Sequence, residues 1–514
     1  MEHLLKHKTT IILCAILLLA AFLRLYKIAD YMTFLGDEGR DVLVVKHILD
    51  GNFTLLGPRS SAGDFYTGPI YYYMMAPFLW LFQLDPVGPA VMIALLGIAT
   101  VFLVYYVGKK LFNPSVGFVA AALYAVSPLV LVYSRSSWNP NPMPFFTLLM
   151  LYLLYLAVQN RSWKYFLGIG VLSGIALQLP YIELLVGVII FAYTLFGFFY
   201  LKRKNLWELS KQYLLLLGGF LIGFSPFLAF EVRHGCPNIR TMFGFVLHGD
   251  PSAADLSHKP FFAIIGDVFF RIFARTLWHY PQPGAEHLWD NTVILVWQVS
   301  IVVCAVVAIG LVLRYKNRLA AILLSMWLGF GVVLFGFYKK VINDYNYEFL
   351  FPVPFILTAY LLYWLYHHDK LKLSGKIISV GLFLFLFGYN LWYMPFRFEP
   401  NKQMQQMRTI SEFVLSKTDN KPFNFALITR GNSDHAYRYF FSIHKQDPVV
   451  IENMQNDPQR KTVTDQLLVV CEDLNCEPLG HSLFEIAGFG RAEIADKWDL
   501  PWVKVFKLKQ YVEK

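Results

Sequence analysis

The sequence predicts a mainly α, polytopic transmembrane protein of about eleven spans that ends in a soluble, extracytoplasmic α/β domain. Three observations predict it. Hydrophobic residues make up 56% of the 514 and charged residues 16%, where a soluble chain carries about a quarter charged. The apolar residues run in uninterrupted blocks of about twenty, the length a helix needs to cross hydrocarbon. Lysine and arginine concentrate in short connectors between those blocks, so the net charge of +10 reads as membrane topology and argues against a nucleic-acid function.

The first stretch, 9–25, follows the segment MEHLLKHK and is closed by Arg24 and Lys27 without a small-residue cleavage site. It reads as a retained first span. A polar, glycine-containing region over 31–64 and a short aromatic helix over 69–82 precede spans at 87–107, 116–133, 143–158, 165–179, 183–200 and 213–230. A long, mostly polar loop covers 231–291. Spans resume at 292–313, 320–337, 348–365 and 377–393.

The connectors assign the sides. Lys109 and Lys110, Arg161 and Lys164, the Lys202–Lys204 run, Arg314, Lys316 and Arg318, and Lys370, Lys372 and Lys376 all fall with the N-terminus on one side, which the positive-inside rule makes cytoplasmic. The opposite face of the plasma membrane receives the first loop, 30–86, the 231–291 loop, the YKKVINDYNYE connector and the C-terminal domain. Lys339 and Lys340 alone oppose this, beside Asp344 and Glu348.

The expected division is a membrane domain over 1–396 and a soluble domain over 397–514. In the latter, MQQMRTISEFVLSK places Met404, Met407, Ile410 and Val414 on one helix side, and NFALIT, QLLVVCE and WVKVFKLK read as strands. No metal cluster, nucleophile elbow or phosphate-binding glycine loop is visible in it, so its role reads as acceptor contact or structural support. Among five cysteines, Cys14 and Cys304 lie in apolar blocks, and Cys471 and Cys476 are near enough to bridge if the domain faces an oxidising space.

The sharpest local feature is Gly36-Asp37-Glu38-Gly39-Arg40-Asp41. Taken alone, these acids are solvated, or Asp37 or Asp41 caps the VLVVKHIL helix that follows. Asp64, Tyr66, Gly68, Pro69 and Tyr71-Tyr72-Tyr73 then return the loop to the membrane surface. Acids beside aromatic platforms, which stack on sugar rings, suit a lipid-borne polar substrate. An acid there deprotonates an acceptor hydroxyl or, as with Asp37 and Asp64, holds a divalent cation (Mg or Mn) against phosphate.

The order of these motifs (a first span, the DE pair, a helix ending in DGNF, the GPIYYY helix, and a span followed by KKLFN) resembles the GT-C glycosyltransferases of the protein O-mannosyltransferase and aminoarabinose-transferase type. SPLVLVYSR and FEVRHGCPN resemble segments of bacterial members. The resemblance covers 10–240 well and continues more weakly to about 395. It implies a GT-C-type fold and transfer of a sugar from a polyprenyl-phosphate donor to a lipid, glycan or protein acceptor at the extracytoplasmic face. It implies Asp37 as the catalytic base, with Glu38 as its neighbour or as a ligand. A fixed cation is needed for the donor phosphate; Arg135, Arg233 and His234 are the candidates. Tyr66 and Tyr71, with Asp64, are expected against the substrate, and Tyr345 and Tyr347 along the acceptor or donor groove. The sequence departs from the family in having Tyr66-Thr67-Gly68 where many members carry an acid and a lysine before the proline. Two other readings are a transporter or lipid flippase, which asks for mid-span acids and internal repeats that are scarce here, and a non-catalytic scaffold of the same fold. Glu183, at the start of a span, is either an intramembrane site residue or interfacial.

Overall fold

The computed structural model describes residues 2–60, 65–160, 162–248, 260–281, 290–338, 340–473 and 475–511. Every apolar block of the sequence becomes helical. Among the described residues, seven helices are long and apolar enough to cross a membrane: His7–Leu25, Val87–Leu111, Met143–Asn160, Tyr181–Tyr200, Asn291–Leu313, Arg318–Phe337 and Lys372–Trp392. Two bent pairs raise that to nine if each pair is one span. Leu206–Gly223 with Ser225–His234 bends by 74°, and Asp344–Leu350 with Pro352–His367 by 55°. Pro226 and Pro352 open the second members, where a ring in place of an N–H starts a new helix more readily than it continues an old one. The remaining two of the eleven expected spans are the shorter apolar helices Pro114–Ala125 and Trp163–Ala176.

The chain divides into two compact units, 1–26 with 54–74 and 90–399, and 27–53 with 75–89 and 400–514. This differs from the expected cut at 396/397, because two pieces of the first loop region cluster with the C-terminal domain.

In the first unit, helices approach closely where side chains are small. Gly170 and Gly174 lie on the Trp163–Ala176 helix, and Gly219 and Gly223 on Leu206–Gly223. A Cβ at any of the four would stand 2.1–2.4 Å from a carbonyl oxygen of the facing helix. Apolar chains gain little from one another's burial in lipid, so this backbone proximity is what holds such a pair. The 231–291 segment is more structured than a polar loop. It contains the helices Ser225–His234 (at its start), Pro237–His248 and Phe261–Leu277. In the last, Asp267, Arg271 and Arg275 break the apolar run in sequence yet recur every four residues, which puts them on one helix face.

In the second unit a four-stranded sheet has the order β1-β2-β4-β3, with β1 (Asn424–Ile428) parallel to β2 (Gln466–Cys471), and β4 (Lys504–Gln510) antiparallel to both β2 and β3 (Ala492–Asp499). β1 and β2 are buried along their whole length, which is why they read as continuous apolar runs. The helix Gln403–Ser416 buries Met404, Met407, Ile410 and Val414, the side its periodicity selects. Cys471 and Cys476 form a disulfide with Cα atoms 6.2 Å apart, whereas Cys14, Cys236 and Cys304 are free. Alkylation of the denatured protein is therefore expected to label three cysteines before reduction and five after; five before reduction would remove the bridge.

Candidate active site

The acidic motif is helical. The helix Gly36–Leu49 begins nearly two turns earlier than the VLVVKHIL segment, because its first turn is satisfied from two directions. The Glu38 carboxylate, at the third helical position, accepts from the backbone N–H of Leu35 at 3.0 Å, as in half of a capping box. The Gly36 N–H donates to Asn432 Oδ1 at 2.8 Å. The expected caps, Asp37 and Asp41, instead flank Arg40. Its Nη1 donates to Asp37 Oδ1 at 2.8 Å, and its Nη2 and Nε to Asp41 Oδ1 at 2.8 and 3.0 Å. The motif thus separates its acids by environment. Asp37 is 56% exposed, Asp41 is fully buried, and Glu38 is 7% exposed.

Glycine spacing explains how this turn is held. Gly36 and Gly39 face the residues that lead into the helix His435–Ile443. A Cβ at Gly36 would stand 2.1 Å from Ser433 Oγ, and one at Gly39 2.3 Å from the Ala436 nitrogen. Only hydrogen at these two positions permits the contact. His435 lies in the same environment, with Nδ1 2.8 Å from Ser433 Oγ. Burial lowers its pKa, Asp434 and Asp37 act to raise it, and Arg40 and Arg438 lower it further.

Burial pushes the Glu38 carboxyl up to about 7 from the usual 4.5; the N–H groups of Leu35 and Glu38 itself oppose the shift, and the charges of Asp37 and Asp41 add to it. The folded protein therefore keeps a proton on Glu38 between 4.5 and about 7, where the unfolded chain has lost it, and stability falls as pH rises through that window. The loss is about 3 kcal/mol at most, at 1.36 kcal/mol per unit. Glu38→Gln cannot ionise. Its melting temperature should match wild type near pH 4.5 and exceed it at pH 8, and a wild-type-minus-variant gap independent of pH would refute this.

In the first unit, Arg135 is almost wholly buried. Its Nη1 and Nη2 donate to the carbonyls of Leu23 and Tyr26 at 2.5 and 2.7 Å, and its guanidinium lies 4.7 Å from the Phe396 ring centre. It ties the end of the first span in place. Tyr71 is buried, with its hydroxyl 2.8 Å from Ser137 Oγ. Tyr66 is exposed, and its backbone is held by Asn238 Oδ1 at 2.9 Å and by the Tyr181 hydroxyl. Arg233 and His234 are exposed at the end of their helix, where His234 Nδ1 sits 2.9 Å from the Phe230 carbonyl. Asp64 lies outside the described residues.

A second charged constellation stands around Asp344, on the connector expected to line the groove, and its two arginines were not anticipated. Arg271 Nη2 and Arg275 Nε reach its two oxygens at 2.7 and 2.6 Å, and the Tyr347 hydroxyl donates to it as well. All three charged side chains are at most 10% exposed. Arg271 and Arg275 also donate to the carbonyls of Ile342 and Tyr280 at 2.7 and 3.1 Å. Asp267, at 3.7 Å from Arg271, is too distant for a tight pair. Tyr345, on the connector that carries Asp344, packs edge-on against Trp138. The four-residue spacing of Arg271 and Arg275 was the available signal; the surrounding apolar residues masked it. Glu183 is buried.

Among the described residues, no three histidine, cysteine or acidic side chains are grouped to hold a metal ion, and Asp37 already faces the Arg40 cation.

Residues 66–230 match the family described as dolichyl-phosphate-mannose-protein mannosyltransferase. No curated protein matches the chain in sequence. Among solved structures, the chain is similar to ArnT from Cupriavidus metallidurans bound to undecaprenyl phosphate, with 12% identity, 97% of each chain covered and a TM-score of 0.59. It is similar to the archaeal oligosaccharyltransferase AglB from Archaeoglobus fulgidus, in complex with an inhibitory peptide and a dolichol-phosphate, with 13% identity over 90% of this chain and 69% of that one and a TM-score of 0.52. It is also similar to the arabinofuranosyltransferase AftD from Mycobacteria, with 13% identity over 98% of this chain and 40% of that one and a TM-score of 0.51. Along nearly its whole length the chain therefore shares the fold of ArnT, and among the described residues seven helices are long and apolar enough to cross a membrane.

Proposed function

We propose that this protein transfers a sugar from a polyprenyl-phosphate donor to a hydroxyl of a lipid, glycan or protein acceptor at the extracytoplasmic face of the plasma membrane, with its N-terminus cytoplasmic and its C-terminal domain outside. The observation that carries the reading is the division of labour at the head of the Gly36–Leu49 helix. One carboxylate, Asp37, is open to solvent and steadied by Arg40, while its neighbour Glu38 is buried and holds the turn. An exposed carboxylate on a rigid first turn suits a general base.

The reaction is a single displacement. Asp37 accepts the acceptor's proton as its oxygen bonds to the anomeric carbon from the face opposite the leaving group. The bond from that carbon to the phosphate oxygen breaks, and polyprenyl phosphate departs with the electron pair, so the product is inverted. The developing phosphate charge calls for fixed cations in a dry setting. Arg271 and Arg275 suit that description, because they are two buried guanidiniums against one tightly bonded carboxylate. Tyr345 and Tyr347 come from the connector that carries Asp344. The exposed Arg233, His234 and Tyr66 are assigned to the donor headgroup or the acceptor.

Purified protein incubated with a panel of polyprenyl-phosphate sugars and an envelope extract as acceptor source tests the proposal. Release of polyprenyl phosphate from one donor is the expected result and names the sugar. No release from any donor, with and without divalent metal, would overturn it.

A further inference from the structure

Two elements distant in sequence meet at the head of the acidic helix. Asn432 Oδ1 accepts from the Gly36 N–H at 2.8 Å and from the Ser433 N–H at 2.9 Å, so it closes the first turn from outside. Its amide nitrogen donates to Glu472 Oε1 at 3.0 Å. Glu472 is itself fixed by three further contacts. The Tyr437 hydroxyl donates to Oε1 at 3.0 Å, the Thr429 hydroxyl to Oε2 at 2.6 Å, and the Glu472 N–H to the Ile428 carbonyl at 3.0 Å. Glu472 directly follows Cys471 inside the short loop closed by the Cys471–Cys476 disulfide. The carboxylate therefore cannot swing freely. An asparagine side chain turns either end toward a neighbour at little cost, and here the carboxylate decides which, because it accepts only from the amide end and leaves the oxygen for Gly36.

We infer that Asn432, oriented by Glu472, is a positioning residue for the transferase reaction: it fixes the first turn of the Gly36–Leu49 helix and with it the placement of Asp37. Gly36 immediately precedes Asp37, so losing this bond loosens the backbone that carries the base, while Arg40 continues to hold the side chain. A general base displaced by about 1 Å costs on the order of 100-fold in rate. This inference rests on the glycosyltransferase reading for its kinetic consequence, and on the hydrogen bonds alone for its structural one.

The test uses the full-length protein and two readouts. Hydrogen exchange of the peptide spanning residues 34–42 needs no activity. Asn432→Ala should accelerate exchange there at least tenfold, while the peptides of β2 and of the Gln403–Ser416 helix remain unchanged. Kinetics with the donor identified above should show kcat reduced 10- to 100-fold with the donor KM within twofold, which is the signature of a misplaced reacting group. Opening the turn also hydrates Glu38, so any limb of the pH–rate profile near 7 should move toward lower pH. Asn432→Asp sets two carboxylates against each other and should be as impaired. The double variant Asn432→Asp/Glu472→Gln exchanges amide and carboxylate across the pair, keeps an oxygen for the Gly36 N–H, and should recover at least fivefold. Glu472→Gln alone serves if Asn432→Ala does not fold, with the same direction and a smaller effect. Wild-type exchange and wild-type kcat in the alanine variant would overturn the inference. Altered exchange with unchanged kcat would also overturn it. Absence of turnover by the wild-type protein would fall on the function instead, leaving the exchange result to decide the structural claim.

Discussion

Asp37→Asn is expected to lower kcat for donor turnover by about 10²- to 10⁴-fold while the donor KM stays within a few fold. That range is what a positioned general base contributes, and the amide keeps the shape of the side chain while losing the basic electron pair. The change should leave the fold intact. Asp37 is more than half exposed and pairs with Arg40 three residues on, an exchange worth only about 0.3–0.5 kcal/mol in such a setting. Arg40 also retains Asp41, which is fully buried and binds both its Nε and Nη2. Melting temperature and detergent elution should therefore match wild type, which separates a catalytic loss from a structural one. Glu38→Gln is the paired control. It sits one residue away but faces the backbone N–H of Leu35, so its effect should be on stability above pH 7 and not on the proton transfer itself. Turnover that survives Asp37→Asn would keep the reaction class and move the base elsewhere. Equal losses in the two variants would mean that the turn as a whole is what matters.

How far these assignments were readable in the sequence differs from residue to residue. The spans were readable because about twenty apolar residues have few alternatives to a helix across a bilayer, and each expected block is helical. β1, β2 and β4 announced themselves by buried or alternating apolar residues. β3, AEIADKWD, did not, because it is an edge strand with most of its side chains in solvent. The Phe261–Leu277 helix was missed as an element because its charges interrupt the run at the spacing that places them together on one face. Asp37 was singled out by its place after the first span, but the expected capping role fell to Glu38 and to Asn432, the latter 396 residues beyond the Gly36 N–H that it accepts from. No local pattern encodes a contact at that separation. Arg135 illustrates the same limit in reverse. An arginine at a span end reads as a candidate for phosphate or headgroups, and only the fold reveals that two backbone carbonyls have claimed it.

Asp344→Ala should be the most destabilising single change outside the apolar core, by about 3–5 kcal/mol, the range for removing one partner of a buried ion pair. Its two oxygens each hold a guanidinium nitrogen, at 2.7 Å from Arg271 and 2.6 Å from Arg275, and the Tyr347 hydroxyl donates to it too. Truncation leaves two buried cations facing each other across the vacated space, with only the half-buried Asp267 at 3.7 Å in reach of Arg271. The carbonyls of Ile342 and Tyr280 keep one bond to each arginine but carry no net charge. Asp344→Asn should be milder than alanine, since the amide oxygen still accepts one of these bonds, though the amide nitrogen repels the other guanidinium. The order wild type, asparagine, alanine in thermal unfolding of the detergent-solubilised protein is the expected result, with the alanine variant far below the other two. If Arg271 and Arg275 meet the donor phosphate, undecaprenyl phosphate should raise the melting temperature of Asp344→Ala by more than it raises that of wild type, because an anion then takes the place of the lost carboxylate. Equal shifts in the two proteins would leave Asp344 a structural anchor and take the phosphate away from these arginines.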